Sequence, residues 1–269
     1  IPSLVSLVRS KGIYVLGMSE TRRRSGIYDI GGGFTLIISQ NEKFSFLGGT
    51  GFLLSPAATK AFHAGGNKLW YPGTGHISSG RYLEIQLATD EREAPMTIAV
   101  TYGPTMQSTM EVKEAFSDVV RSRIKAKRNY RDMTGLGDVT QDENPRPLPS
   151  SHFYIMIGDL NARVGRRDDT RDVEGARVGS VIGPYNFPDT NSNGEMMIDL
   201  AKSCNLRIVN TFFKHSEKET RTWRHGRGTW QVLDHVMCRS WCLRHVVDSR
   251  SRPAWAGYVD SDHNVISVT

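Results

Sequence analysis

The sequence predicts an α+β protein built as a four-layered α/β/β/α sandwich, two packed and mainly antiparallel sheets between outer helices. Three observations lead there. Helix-like and strand-like stretches are interspersed with strands in the majority, nearly every strand-like stretch is apolar on at least one face, and polar residues gather where those stretches stop. Two facing sheets explain the buried faces, and a shared rim of strand ends explains the polar clusters. A chain of 269 residues can bury a substantial core, and neither linker composition nor internal repeat divides it, so one domain over residues 1–269 is expected.

The elements follow in order. Pro2 to Ser10 places Leu4, Val5 and Val8 at helical spacing behind a proline suited to a first turn, and Lys11-Gly12 stops it. Ile13 to Met18 reads as a strand ending in Ser19-Glu20-Thr21. The glycine-rich run Ile27 to Gly33 reads as loop, because Gly31 to Gly33 lacks the helix and spacing of a phosphate-binding motif. Phe34 to Ile38, Phe44 to Leu47 and Gly51 to Leu54 read as short strands. Arg81 to Leu87 alternates, with Tyr82, Glu84 and Gln86 opposite Leu83, Ile85 and Leu87, which predicts a half-buried strand. Met96 to Tyr102 is another strand, running into Gly103-Pro104.

Glu111 to Arg131 carries an apolar stripe of Val112, Phe116, Val119, Val120 and Ile124, a helix. Residues 132–151 and 166–190 lack periodicity and read as irregular loops. Between them lies Phe153 to Ile157, a β-rich apolar run too short for a helix, bounded by Gly158. Beyond it Asp159 and Asn161 stand two apart, so in extended geometry both leave one face while Leu160 turns inward. Asn193 is expected to cap a helix with Met197, Leu200, Ala201 and Cys204 on its stripe. Leu206 to Thr211 is a strand. Thr220 to Arg224 and Thr229 to Cys238 form a hairpin around His225 to Gly228, with Asp234 inside its second strand, and Val265 to Val268 closes the chain after Ser261-Asp262-His263.

Composition narrows the function classes. No apolar run approaches the length that crosses a bilayer, so a membrane protein is not expected. The start, Ile1-Pro-Ser-Leu-Val, shows no signal-peptide pattern. Three cysteines, Cys204, Cys238 and Cys242, suggest neither a disulfide framework nor a zinc site but buried free thiols. A net charge of +6 favours an anionic partner, with basic clusters at Arg22–Arg24, Arg121–Arg131, Arg163–Arg167, Arg221–Arg227 and Arg239–Arg252. Charge alone leaves nucleic acid, anionic lipid and small phosphate esters open.

If the strand ends share one rim, Glu20, Tyr102, Asp159, Asn161, Asp234, Asp262 and His263 converge. Taken alone, Gly-Asp-x-Asn is more often a turn and a lone Glu after a strand is usually solvated. Together the set has coherent chemistry: oxygen ligands such as Glu20 suit Mg²⁺, and Asp234 bonded to His263 would fix the imidazole tautomer and stabilise its cation.

Ser19-Glu20-Thr21, Tyr102-Gly-Pro, Gly158-Asp-Leu-Asn161, Leu233-Asp234-His235 and Ser261-Asp-His263 stand in the order and approximate spacing of the endonuclease/exonuclease/phosphatase superfamily, which has a DNase I-like fold. The resemblance covers nearly the whole chain. Gly158-Asp-Leu-Asn-Ala-Arg-Val-Gly165, Asn193-Gly-Glu and Thr222-Trp223 look most like the apurinic-type endonuclease domain of LINE-type non-LTR retrotransposons, or a host protein derived from one. The resemblance implies that Glu20 and Asp262 serve the metal, Mg with Mn as substitute. It implies that Tyr102 and Asn161 orient the scissile phosphate, that Asp159 positions water or assists the leaving group, and that His263 with Asp234 contacts the phosphate. Thr222, Arg163 and Arg227 would face substrate. The family also has an asparagine on a strand ahead of its first helix; this chain starts at that helix, which implies a truncated start and weak or absent nuclease activity.

The expected function is Mg-dependent hydrolysis of duplex DNA, nicking a target site for primed reverse transcription, in a protein that is nuclear, or cytoplasmic before nuclear entry, and not secreted, with a reverse transcriptase domain in the parent polyprotein. Two alternatives stand beside it: a degenerate, exapted DNA- or chromatin-binding module, and a phosphoesterase acting on lipid, inositol or nucleotide phosphates.

Overall fold

The computed structural model describes residues 1–41, 48–73, 75–89, 95–125, 153–165, 180–185, 189–226, 228–259 and 261–269. They form two compact units, 1–104 with 108–158, and 105–107 with 159–269. The expected strand at Phe44 to Leu47, the helix beyond residue 125 and most of the two irregular loops lie outside the described residues.

In the first unit α1 (Pro2–Lys11) ends at Gly12, whose φ of 63° is the left-handed cap a glycine supplies without cost. Strands β1 (Val15–Ser19), β2 (Gly26–Asp29), β3 (Thr35–Ser39) and β4 (Thr50–Leu54) make an antiparallel sheet of order β1-β4-β3-β2. The glycine-rich run read as loop thus holds a strand in its first part. Helix α2 (Pro56–Ala64) was not evident in the sequence. Its start is set by Ser55, whose hydroxyl accepts from the Ala58 N–H, and by Pro56 in the first turn.

Four more strands, β5 (Leu69–Trp70), β6 (Tyr82–Leu87), β7 (Met96–Tyr102) and β8 (Tyr154–Asp159), lie in the order β5-β6-β7-β8, and α3 (Met110–Lys125) precedes β8. The two sheets of this unit pack through Ile37, Phe52 and Leu54 on one side and Leu83, Ile85 and Val100 on the other. Strand β6 is buried along its whole length, not half-buried. Its polar face carries Glu84, fully buried and paired with Arg123 of α3 at 2.9 Å, while the Tyr82 hydroxyl donates to Glu84 at 2.7 Å. The Arg123 guanidinium also lies 4.3 Å from the Trp70 ring centroid. Alternation in the sequence was therefore between two buried faces, one apolar and one ion-paired. A buried ion pair of this kind is costly to break one partner at a time.

The second unit opens on Asp159. It contains α4 (Ser192–Ser203), β9 (Leu206–Ile208), the short α5 (Glu217–Thr220), β10 (Trp223–Arg224), β11 (Trp230–Gln231), β12 (Asp234–Arg239), β13 (Ser249–Arg252) and β14 (Val265–Val268). The strands pair antiparallel as β9 with β12, β10 with β11 and β13 with β14. The expected long hairpin is shorter: β10 and β11 pair over two residues each, and Asp234 begins a separate strand. Leu206 to Thr211 likewise turns to a 3-10 helix after Ile208. Met197, Ile198, Leu206, Ile208 and Val236 form its core, and all three cysteines are buried free thiols. Burial, helped by Cys242, pushes the Cys238 thiol up to about 12.

Gly158 decides where β8 can run. A Cβ there would stand 2.0 Å from the Thr101 carbonyl oxygen, and its φ of 145° is one that side chains rarely adopt. Gly158→Ala is expected to destabilise the protein by about 3 kcal/mol. An unchanged urea midpoint for the variant would contradict this account of β8.

Candidate functional site

The sharpest local geometry is in the second unit, at the turn that follows β8. Asp159 is buried, and its Oδ1 accepts from the Asn161 N–H at 2.8 Å, an Asx turn. Asn161 takes φ 48°, left-handed, a region asparagine tolerates. The chain therefore turns rather than continuing extended as the sequence suggested, although Leu160 is buried as expected. Its N–H donates to the Leu233 carbonyl at 3.0 Å.

The start of α4 fixes the turn from the other side. Asn191, not Asn193, is the cap: its Oδ1 accepts from Gly194 N–H at 2.8 Å and from Arg163 N–H at 2.9 Å. Asn193 lies inside the helix and its Nδ2 donates to the Asn161 carbonyl at 3.0 Å, as does that of Asn191 at 3.3 Å. A Cβ on Gly194 would lie 1.8 Å from the Arg163 carbonyl oxygen. These contacts give the Asn-Gly-Glu string a physical meaning, since the amide clamps the turn and the glycine admits it.

Asp234 is set at the head of β12 from beneath. The Thr222 hydroxyl oxygen accepts from the Leu233 and Asp234 N–H groups at 3.0 and 3.1 Å, and Thr222 is fully buried. The structure thus fixes Thr222 beneath Asp234. Asp234 Oδ2 and His263 Nδ1 are 2.8 Å apart. Burial alone would pull the His263 imidazole down from 6.5, but the hydrogen bond and charge of Asp234, with the charges of Asp159 and Asp262, push it up to about 9. His263 is therefore an imidazolium at neutral pH. Its neighbour Asp262 accepts from the Trp223 indole N–H at 2.8 Å, and the Trp223 and His263 ring centroids are 6.2 Å apart.

His235 was read only as part of a string, yet it is wholly buried with both ring nitrogens used. Nε2–H donates to the Ala162 carbonyl at 2.8 Å, and Nδ1 accepts from Asn210 Nδ2 at 3.3 Å. Burial lowers its pKa, so this histidine is neutral and ties β12 to the turn after Asn161. A histidine amid Val232, Leu233, Val236 and Met237 was the signal available in the sequence.

Glu20 and Tyr102 belong to the first unit. Glu20 follows β1 with φ 53° and holds Arg22 at 2.6 Å. Tyr102 ends β7, with the Arg81 guanidinium 5.3 Å from its ring centroid. The Arg163 backbone is clamped as described, and Arg227 lies outside the described residues.

Among the described residues no three His, Cys, Asp or Glu side chains gather as a metal cluster. Mg²⁺ does not need one, since it keeps several waters and takes one or two carboxylates. Exposed Asp262 meets that chemistry on the second unit. On the first, the exposed carboxylate of Glu20 offers the same chemistry. The donors present fit a hard, hydrated cation.

No protein-family model matches the chain, and no curated protein matches it significantly in sequence. Solved structures do. The chain is similar to an AP endonuclease from Leishmania major, at 17% identity and TM-score 0.67 over 99% of this chain and 80% of that one. It is similar to the endonuclease domain of TRAS1, a telomere-specific non-LTR retrotransposon, at 12% and 0.56 over 100% and 90%. A 3′ phosphatase from Neisseria, solved with a product DNA hairpin, matches at 13% and 0.57 over 100% and 93%. The protein has the DNase I-like α/β sandwich fold.

His263 gives a pH signature. With a folded pKa near 9 against 6.5 unfolded, its contribution is complete below pH 6.5 and is lost as pH rises to about 9. Urea titrations in EDTA are expected to show stability falling across that window by on the order of 3 kcal/mol, and by clearly less in His263→Gln. Equal slopes for both proteins would show that His263 is not held as a cation.

Proposed function

We propose that the protein is a Mg²⁺-dependent endonuclease that hydrolyses DNA phosphodiester bonds. The observation that carries this reading is the Asp234–His263 pair at 2.8 Å, an imidazolium at neutral pH beside the buried carboxylate of Asp159. A fixed cation can bind a phosphoryl oxygen and stabilise charge developing on it. Asp159 then takes a proton from water, the water oxygen bonds to phosphorus, and the P–O3′ bond breaks. The departing oxygen takes up a proton from solvent water and becomes a 3′ hydroxyl, leaving a 5′ phosphate on the other fragment.

On the second unit Asn161 is assigned to a phosphate oxygen and Asp262 to the metal. A bound Mg²⁺ would supply charge neutralisation at the scissile phosphate. The net charge of +6 and the DNA-directed names of the structurally similar proteins support a nucleic-acid substrate. Target-site nicking for retrotransposition is the narrower form of the proposal, supported by the similarity to the TRAS1 domain.

Supercoiled plasmid is expected to be nicked with Mg²⁺ and not with EDTA, and His263→Ala and Asp159→Asn should each lose about 100-fold or more in rate. Nicking undiminished in folded His263→Ala would sink the mechanism. A folded wild-type protein that binds plasmid without cutting it would leave a binding module instead.

A further inference from the structure

Strand β10 carries the segment that presents Asp262 and His263. The Asn264 N–H donates to the Thr222 carbonyl at 2.7 Å and the Arg224 N–H to the Asp262 carbonyl at 3.2 Å, so Trp223 and His263 stand opposite each other across an antiparallel bridge. The other edge of β10 pairs with β11. Two consecutive side chains of one strand then reach two of the acids around His263. The Thr222 hydroxyl lies beneath Asp234, and the Trp223 indole N–H donates to Asp262 Oδ2 at 2.8 Å. The mechanism above uses Asp234, Asp262 and His263, and Trp223 has no part in it.

Asp262 is exposed, and a solvated carboxylate on a surface segment samples several rotamers unless something holds it. Indole suits a carboxylate that has to keep its charge. Its N–H is an uncharged donor and nothing else, so it fixes Oδ2 without neutralising the acid. Glu20 shows the alternative: the Arg22 guanidinium holds it at 2.6 Å, an ion pair that competes with any other cation. Asp262 Oδ1 has no hydrogen-bond partner among the described residues. The indole is itself braced, since His225 meets it edge-on with ring centroids 5.3 Å apart and planes at 87°. The His225 N–H in turn closes the hairpin on the Thr229 carbonyl at 2.8 Å.

We infer that Trp223 is a positioning residue for a divalent cation: it tethers Asp262 through Oδ2 and so keeps the carboxylate set, with its charge intact and Oδ1 free, for a hydrated ion such as Mg²⁺. The inference rests on the metal assignment of Asp262 in the nuclease reading above and names the neighbour that sets that acid. Hydrogen bonds to a metal-binding carboxylate fix its orientation, and losing one costs about 10- to 100-fold in affinity. A role confined to holding the hairpin together predicts something else, lower stability with metal affinity kept.

The test uses the full chain and Mn²⁺ alone, with free Mn²⁺ counted by electron paramagnetic resonance. Trp223→Phe keeps a ring and removes the N–H, and is expected to weaken Mn²⁺ binding about 10-fold. Asp262→Asn should weaken it at least as far, and adding Trp223→Phe to Asp262→Asn should cost nothing more, because the tryptophan acts through that acid. In NMR correlation spectra of the wild type, the Trp223 indole signal, identified by its displacement in Asp262→Asn, should shift as Mg²⁺ is added. That readout serves even if Trp223→Phe does not fold. Wild-type Mn²⁺ affinity in folded Trp223→Phe, an additive loss in the double variant, or an indole signal indifferent to Mg²⁺ would overturn the inference. Plasmid nicking separates it from the nuclease reading. If the Mn²⁺ losses follow the expected pattern but the wild type cuts no plasmid, the positioning role stands and the nuclease reading fails. If the wild type nicks with Mg²⁺ and Trp223→Phe binds Mn²⁺ unchanged, the reverse holds. A wild type that binds no Mn²⁺ overturns both.

Discussion

The close approach of Gly158 to Thr101 is the constraint on which much else depends. A backbone that must pass 2.0 Å from where a Cβ would be leaves one residue type available, and that residue immediately precedes Asp159. The last residues of β8 are thus placed by main-chain packing rather than by their own side chains. Asp159 then begins an Asx turn, so its carboxylate is fixed by a hydrogen bond to its own chain two residues on. Precision here comes from covalent and steric limits, which tolerate less variation than a hydrophobic contact would.

Around that turn buried and half-buried polar groups fix the geometry. Asn191, Asn193, Thr222 and His235 each bond to main-chain groups, and together they fix residues 159–163 and the start of β12. The two histidines show how environment divides one residue type between two roles. His235, buried against a carbonyl and an amide, is neutral and structural, whereas His263 meets three carboxylates and is a cation. Nothing intrinsic to imidazole distinguishes them.

Charge follows the same logic on a larger scale. Several arginines of the basic clusters are already paired: Arg250 and Arg252 share Asp248, Arg221 holds Glu217, and Arg121 holds Asp118. Composition counted all of them equally. Pairing removes those arginines from the effective field, and what remains is more local than the sequence clusters implied. Arg81 belongs to no basic cluster in the sequence and has no carboxylate partner among the described residues.

The sandwich, most of its strands, the buried cysteines and the acid–histidine pair were legible in the amino-acid order, because alternation, apolar runs and strand-end polar residues are local signals read within a few positions. That order did not show that Asn191 caps α4, that Thr222 lies beneath Asp234, or that β6 is buried on both faces. Those were settled by residues distant in the chain: Arg163 presents the carbonyl that requires Gly194, and α3 brings Arg123 onto Glu84. The shift of His263 to about 9 is likewise a sum over Asp234, Asp159 and Asp262, separated by up to 103 residues and meaningful only once folding brings their charges close. Local propensity sets which elements form; which side chains face one another, and so which of them titrate, pair or remain unmet, is a property of tertiary distance.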